Sequence, residues 1–276
     1  MMNDQLNASR AARRHIATEY LNDVDALMET VGNEGILFSQ GVRTPQGGIT
    51  FEHQDTKSDV RAFYTKRNAS MEILGSHEVL EVASSWHVFI AGVGPLRDTD
   101  SDQMVLREFI AILVPQEGTD DLVGECPIRR FEGFRQDTHD PSNPESVMSG
   151  RVELAELHNK MLDALSRRDA DSIGELFHPE AGLIAQSAPP VDGVCQADGR
   201  AAIARYYTNI LTCDSFDVTC ISRICGEWYV YSEQLWRATR GSQVQSRRVA
   251  EYLTINADGS IAARVAYSVP AGDLGQ

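Results

Sequence analysis

The amino-acid sequence predicts an α+β fold that is built twice, as two tandem cone-shaped domains. Each half of the 276-residue chain opens with apolar residues at helical spacing and closes with long β-rich runs. The second half repeats the element order of the first, and Trp86 coincides with Trp228, as Arg107 does with Arg248. Helices followed by a curved, mostly antiparallel sheet define a domain whose helices pack on one face of that sheet.

The helices come first in each copy. A helical stretch is predicted over roughly Ala11 to Thr30 in the first copy and over Arg151 to Phe177 in the second. The helical spacing of the second stretch is broken between Arg168 and Asp171, which predicts two helices with a short joint. A further helix follows in each copy, and it carries Tyr64 in the first and Tyr207 in the second.

The strands follow from short apolar runs. One short strand begins near Asn33 in the first copy and near Pro179 in the second, each entered through an acidic turn and followed by a glycine-containing loop. Three long strands are then predicted in each copy. The ADG turn from Ala257 to Gly259 indicates a hairpin between the last two strands.

The repeat predicts two domains, a divergent copy at residues 1–142 and a more site-like copy at residues 143–276. The segment from Asp137 to Gly150 is rich in Pro, Ser, Asn and Asp, and it is interpreted as the linker. A linker of this length allows the two domains to pack sheet against sheet as an intramolecular pseudo-dimer, the favoured arrangement, or to remain independent. Further homo-oligomerisation stays open.

The composition argues against several function classes. A formal net charge of -15 disfavours nucleic-acid binding, since phosphates require a basic surface. Five cysteines without a CxxC pair predict neither a disulfide framework nor a zinc site. No apolar run is long enough to cross a bilayer, and the first residues indicate an amphipathic helix, so a cytoplasmic protein without membrane contact is expected. Since GxSxG, GxGxxG and P-loop patterns do not occur, no cofactor is expected.

Three segments of the second copy resemble the SnoaL-like and ketosteroid isomerase group of the nuclear transport factor 2 superfamily, which has a cystatin-like cone fold. The segment ALSRRDADSIGELFHPEAGL resembles the family's opening helices and turn, GRAAIARYY its glycine-led helix, and YLTINADGSIAARVAY its closing hairpin. The resemblance covers nearly the whole second half and, more faintly, the first. It implies an open cone that holds a small molecule.

The sequence departs from the isomerases at two places. Where they keep a catalytic carboxylate, this chain has Ala185 in the second copy and Ser39 in the first. Where they have an oxyanion-binding tyrosine, it has Met161. Steroid isomerisation by that machinery is therefore not expected. The Asp, Arg, Asp relay of limonene-epoxide-hydrolase-like members has no evident counterpart.

Glu251 and Tyr207 are the candidate catalytic residues. The resemblance places Glu251 where isomerases hold a protonated acid, and an apolar pocket would raise its pKa so that it acts as a neutral donor. The alternative is a solvent-facing or inter-sheet Glu251 paired with Arg248 or Arg264. Its counterpart in the first copy is apolar, near Ile110. On the catalytic interpretation, Glu251→Gln is expected to abolish turnover and leave the melting temperature nearly unchanged.

Five further residues are candidates for substrate binding. A tyrosine on the helix that follows the first strand can donate a hydrogen bond to a substrate oxygen. A histidine on the opening helix can point into the cone. No HExxH motif or carboxylate cluster accompanies the histidines, so a metal site is not expected. The predicted substrate-binding residues are Tyr64, His158, Met161, Tyr231 and Arg248.

Two functions follow from these observations. The first is a cofactor-independent cyclase, isomerase, dehydratase or hydrolase that acts by general acid/base chemistry on a small, largely apolar metabolite such as a polyketide, terpenoid or aromatic. The second is a non-catalytic protein that uses the same cone, or its sheet face, to bind a ligand or partner. A carboxylate or histidine with a perturbed pKa inside the cone would favour the first.

Overall fold

The computed structural model describes residues 2–131, 144–187 and 193–271. The elements of its first half are α1 (Met2–Glu19), α2 (Val24–Met28), β1 (Leu37–Arg43), β2 (Ile49–Gln54), α3 (Lys57–Ser70), β3 (Met71–Ile73), β4 (His77–Ala83), β5 (Val88–Asp98), β6 (Met104–Pro115) and β7 (Leu122–Phe131). Those of its second half are α4 (Pro144–Arg167), α5 (Ala170–Glu175), β8 (Phe177–Ser187), β9 (Val194–Asp198), α6 (Arg200–Ile210), β10 (Ser215–Cys225), β11 (Tyr229–Arg240), β12 (Gln243–Ile255) and β13 (Ile261–Pro270).

Each half forms one sheet, and the two sheets share one strand order, apart from the additional strand β3 in the first. The first has the order β2-β1-β7-β6-β5-β3, with β4 also paired to β5, and the second has β9-β8-β13-β12-β11-β10. Of the strand pairs whose register is described, only β1–β7 and β8–β13 are parallel. The predicted α+β class, with helices against curved and mostly antiparallel sheets, is confirmed, and the shared topology supports the internal repeat.

The joint between the opening helices is formed in the same way in both halves. Arg168 has a φ of 58°, and the Asp169 side chain accepts a hydrogen bond from the Ser172 backbone at 3.0 Å, so it caps α5. In the first half Asn22 has a φ of 51°, and Asp23 caps α2. The predicted break between Arg168 and Asp171 is therefore confirmed.

The prediction of three long strands in each half is wrong, because the first of them is a hairpin in both. Ser84 and Gly226 each donate a backbone hydrogen bond across a tight turn, to His87 and Tyr229 respectively, at 2.9 Å. These turns separate β4 from β5 and β10 from β11. The glycine-containing loops after the first strands were also incompletely predicted, since β2 and β9 form there.

The segment predicted as a linker is helical from Pro144 onward. Helix α4 begins at Pro144, so the part of the linker that ends at Gly150 is helical. The predicted boundary between residues 142 and 143 lies outside the described residues. The chain divides into two compact units, the first of Met1–Gly41 and Glu52–Arg135 and the second of Val42–Phe51 and Gln136–Gln276. The intramolecular pseudo-dimer remains a prediction.

Strand register corrects two of the residue equivalences. With Trp86 and Trp228 aligned, Arg107 pairs with Gly94 as Arg247 pairs with Trp236, so Arg247 is its counterpart rather than Arg248. By the same alignment, the residue equivalent to Glu251 is Ala111 instead of Ile110. The counterpart of Arg264 in the first half is Glu125. The two cones therefore carry opposite charges at one position of the last strand.

Two apolar cores support these sheets, one in each half. In the second half, Met161, Leu165 and Ile173 of the opening helices pack with Tyr207 of α6 and Leu253 of the sheet, all of them buried. No described helix has the length and apolar character needed to cross a membrane.

Candidate functional site

The second unit contains a cavity of about 320 Å³ between α6 and the sheet. This volume is at the lower end of the range for small-molecule pockets. Its wall is mainly aromatic and apolar, and it also carries three arginines although the chain has a net charge of -15. The lining includes Tyr206, Phe216, Trp236, Arg240, Arg247 and Arg264.

Arg264 is the most unusual residue of this wall, since its side chain is fully buried. Its Nε donates to Oε2 of Glu251 at 2.7 Å, which fixes the plane of the guanidinium. Its Cζ lies 5.4 Å from the ring centroid of Trp236 and 5.8 Å from that of Tyr207. Neither Nη1 nor Nη2 has a hydrogen-bond partner among the described residues. The wall therefore presents two oriented donors that lack an acceptor, and such donors are costly to bury.

Glu251 is the buried partner that holds Arg264 in place. Its carboxylate also accepts a hydrogen bond from Nε2 of Gln234 at 2.5 Å, and Nε2 of His158 lies 3.5 Å away. Burial favours a raised pKa for Glu251, but the charge of Arg264 and the hydrogen bond with His158 outweigh burial and lower the pKa to about 2. The expectation of a neutral, protonated Glu251 is therefore wrong. Pairing with Arg264 was the correct alternative, although the pair lies in the interior.

A chain of hydrogen bonds supports the carboxylate from behind. Trp236 Nε1 donates to Oε1 of Gln234 at 2.6 Å, and Gln234 Nε2 in turn donates to Glu251. His158 contacts Ser232 Oγ through Nε2 at 3.3 Å and lies near Arg223 through Nδ1 at 3.4 Å. These contacts fix both the carboxylate and, through it, the guanidinium.

The two tyrosines of α6 have different surroundings. Tyr206 lines the cavity, and its hydroxyl lies close to Arg264 but outside hydrogen-bonding geometry for either terminal nitrogen. Burial raises the pKa of Tyr206, and the nearby positive charge only partly offsets this, so the phenol is neutral near pH 7. Tyr207 is fully buried, and its hydroxyl has no partner among the described side chains. Burial raises its pKa as well.

The predicted site residues lie around the cavity rather than in its wall. Glu251 contacts Arg264 from behind, while Met161 and Tyr207 belong to the core. Arg248 forms an ion pair with Glu233. Because Val249 lines the cavity and side chains alternate along a strand, Arg248 projects from the opposite face, as does Tyr231. The predicted residues outside the described lining are Glu251, Tyr207, His158, Met161, Tyr231 and Arg248.

Tyr64, the candidate from the first unit, belongs to a separate buried network. Its hydroxyl donates to Oε2 of Glu125 at 2.6 Å and lies 3.2 Å from Nε2 of His15. His15, Glu19 and Glu125 together offer ligand atoms within 4.8 Å of one another, which is the geometry of a candidate metal site.

The sequence interpretation did not select the residues that form the cavity wall. Arg264 was considered only as a partner of Glu251, and Tyr206 was not considered. One signal was available, since Arg264 interrupts the apolar run IAARVAY of β13, where a charged side chain requires a partner or a pocket. Alternation along β13 then puts it on the same face as Ala266, another lining residue.

Acid pH is expected to weaken the fold through Glu251. A carboxylate with a lowered pKa in the folded state stabilises the protein above its unfolded value of 4.5, and this contribution is lost as the pH falls toward about 2. Urea unfolding midpoints should therefore decline from about pH 4.5 downward. The Glu251→Gln variant should show a smaller decline, and parallel curves for the two proteins would contradict the assignment.

Residues 158–264 match the sequence model of the SnoaL-like domain family. The second unit therefore contains a SnoaL-like domain, as the sequence predicted. No curated protein matches the chain.

Three of the solved structures to which the chain is similar each match 43% of it. BvnE pinacolase from Penicillium brevicompactum is 12% identical over 43% of this chain and 84% of its own, with a TM-score of 0.37. An LEH-like epoxide hydrolase of M. tuberculosis is 16% identical over 43% and 84%, with a TM-score of 0.36. The epoxide hydrolase/cyclase-like enzyme SalBIII is 17% identical over 43% and 92%, with a TM-score of 0.35.

Proposed function

We propose that the second unit is a cofactor-independent enzyme of the SnoaL-like type, and that Arg264 binds an oxyanion of its substrate. The observation that supports this most strongly is the pair of unpartnered, buried guanidinium nitrogens in the cavity wall. A planar guanidinium fixed on one side by Glu251 matches a carboxylate, enolate or alkoxide on its free side. Trp236, Phe216 and Tyr206 accommodate an aromatic or apolar body. The ligand is thus amphipathic, rather than the largely apolar metabolite expected from the sequence.

The proposed reaction follows from the fixed position of the Arg264 guanidinium. Donors that are already oriented toward a developing oxyanion stabilise the transition state more than the ground state. Isomerisation, cyclisation and dehydration next to a carbonyl pass through an enolate oxygen, and epoxide opening passes through an alkoxide. The neutral Tyr206 phenol, beside Arg264, is the proposed proton donor. Glu251 then acts as a positioning residue, because it reaches the cavity only through Arg264.

Ligand binding without turnover is the second candidate, and one observation favours it. Among the lining residues that the structure describes, none carries a carboxylate or an imidazole that would accept a proton. Hydrogen exchange measured in D₂O distinguishes the two candidate functions. An enzyme that stabilises an enolate at Arg264 should accelerate exchange of the C3 protons of phenylpyruvate, which NMR detects; solvent water accepts the proton, because no described lining side chain offers a carboxylate or imidazole. A binding protein should bind this acid without accelerating the exchange.

Carboxylates are expected to bind at least about tenfold more tightly than their neutral amides, because hydrogen bonds to a charged group contribute about 1.5–3 kcal/mol. Isothermal titration with benzoate, phenylacetate and 2-naphthoate against the corresponding carboxamides measures this difference. Arg237→Gln serves as a control, since Arg237 lies on the same strand as Trp236 but is exposed and outside the described lining. Equal affinity of acids and amides would contradict the proposal.

A further inference from the structure

The first unit contains a second, much smaller cavity of about 20 Å³. It is large enough for one water-sized particle and too small for an organic ligand. Charged side chains form much of its wall, in contrast to the aromatic wall of the larger cavity. The lining residues are Ile16, Glu19, Tyr20, Arg107, Phe109, Ala111, Glu125, Pro127 and Arg129.

The two carboxylates at this cavity already have partners. Glu19 forms a buried ion pair with Arg67. Glu125 accepts the Tyr64 hydroxyl hydrogen bond at 2.6 Å and lies 3.3 Å from Nε2 of His15. The carboxylates are therefore committed to groups other than Arg107 and Arg129.

Arg107 and Arg129, by contrast, each have side-chain nitrogens without an acceptor, although both residues are more than nine-tenths buried. Nε of Arg107 and both Nε and Nη1 of Arg129 have no hydrogen-bond partner among the described residues. No carboxylate in the described part of the chain lies within 4.0 Å of either guanidinium. Two residues that line one small cavity thus have three unused donors.

The charge balance of the cluster is positive. Arg67, Arg107 and Arg129 face Glu19 and Glu125, which leaves one formal positive charge before His15 is counted. Burial, followed by repulsion from Arg129, lowers the pKa of Arg107 to about 10. Burial and then repulsion from Arg67 lower the pKa of Arg129 as well. A single negative charge at the cavity would relieve both effects.

We propose that this cavity binds a monatomic anion, with chloride as the physiological ligand. Its size admits one such ion, and the free nitrogens of Arg107 and Arg129 supply the donors. A divalent metal on His15, Glu19 and Glu125 is disfavoured, because it would add charge to a cluster that already has an excess positive charge and would compete with Arg67 for Glu19. The first cone is then a structural ion site rather than a second catalytic cavity.

Soaking crystals of the 276-residue chain in bromide tests the location of the ion. An anomalous peak within hydrogen-bonding distance of Arg107 and Arg129 is expected. A well-ordered cavity without bromide density, or with a peak only at the surface, would overturn the proposal. Because this cavity belongs to the first unit, the result is independent of the function proposed for the second.

Thermal unfolding tests the same site in solution. At constant ionic strength, sodium chloride or bromide should raise the melting temperature by roughly 2–4 °C over sodium gluconate, whose anion is too large for the cavity. Arg129→Met should abolish this halide-specific rise whatever its own stability, whereas the exposed Arg61→Gln variant should retain it. An unchanged rise in Arg129→Met would refute the site.

Discussion

Replacement of Glu251 by Gln is expected to destabilise the second unit by about 3–5 kcal/mol, because it leaves the buried Arg264 guanidinium without its counter-charge. Urea unfolding followed by tryptophan fluorescence measures the loss, since Trp228 and Trp236 both lie in this unit. This result differs from the expectation of an unchanged melting temperature, which assumed a protonated carboxyl with no buried partner.

Two further variants distinguish the loss of the Glu251–Arg264 ion pair from the loss of any single carboxylate. Glu156→Gln removes an exposed carboxylate from α4 and should change the stability by less than about 0.5 kcal/mol. The double variant Glu251→Gln with Arg264→Met removes both charges and should recover much of the stability, because no unpaired charge then stays buried. A double variant no more stable than Glu251→Gln would contradict the account of an ion pair.

Replacement of Arg264 by Lys is expected to reduce the affinity for aromatic carboxylates by roughly tenfold to a hundredfold, the loss expected for one or two charge-assisted hydrogen bonds. Lysine retains a positive charge for Glu251 but lacks the planar fork that serves Glu251 and a ligand at once. Isothermal titration measures the affinity, and the fluorescence unfolding curve reports whether the variant is folded at the titration temperature.

The outcome distinguishes binding from catalysis when exchange of phenylpyruvate protons is measured on the same variants. If Arg264 stabilises an enolate, Arg264→Lys should lower the exchange rate at saturating acid as well as the affinity. The exposed Arg237→Gln variant should alter neither quantity. Undiminished carboxylate affinity in Arg264→Lys would remove Arg264 from the proposed site.

The parts of the fold that were predictable depend on local chemistry. The joint after α4 was predictable because Asp169 caps the next helix by accepting a hydrogen bond from the backbone of Ser172, only three residues away. The hairpin of β12 and β13 was predictable because its turn contains the sequence ADG, which ends at Gly259. The missed hairpins at Ser84 and Gly226 lack such a sequence and interrupt runs that are β-rich on both sides.

The site was less predictable because it depends on register and on distant partners. The pKa of Glu251 is controlled by Arg264, thirteen residues along the chain, and by His158 on α4. The residues next to Glu251 in the sequence are apolar, and they predict a raised pKa instead. Likewise, only the pairing of β12 with β11 and β13 shows that Arg248 and Tyr231 project away from the cavity. The cytoplasmic location and the pseudo-dimer remain predictions.

A crystal structure of the protein with the tightest-binding carboxylate of the benzoate, phenylacetate and naphthoate series tests the central proposal most directly. We expect both carboxylate oxygens within about 3 Å of Nη1 and Nη2 of Arg264, with the aromatic ring against Trp236 and Phe216. A carboxylate bound instead to Arg240 or Arg247 at the cavity rim, with the Arg264 nitrogens still free of ligand, would contradict the proposed role of Arg264.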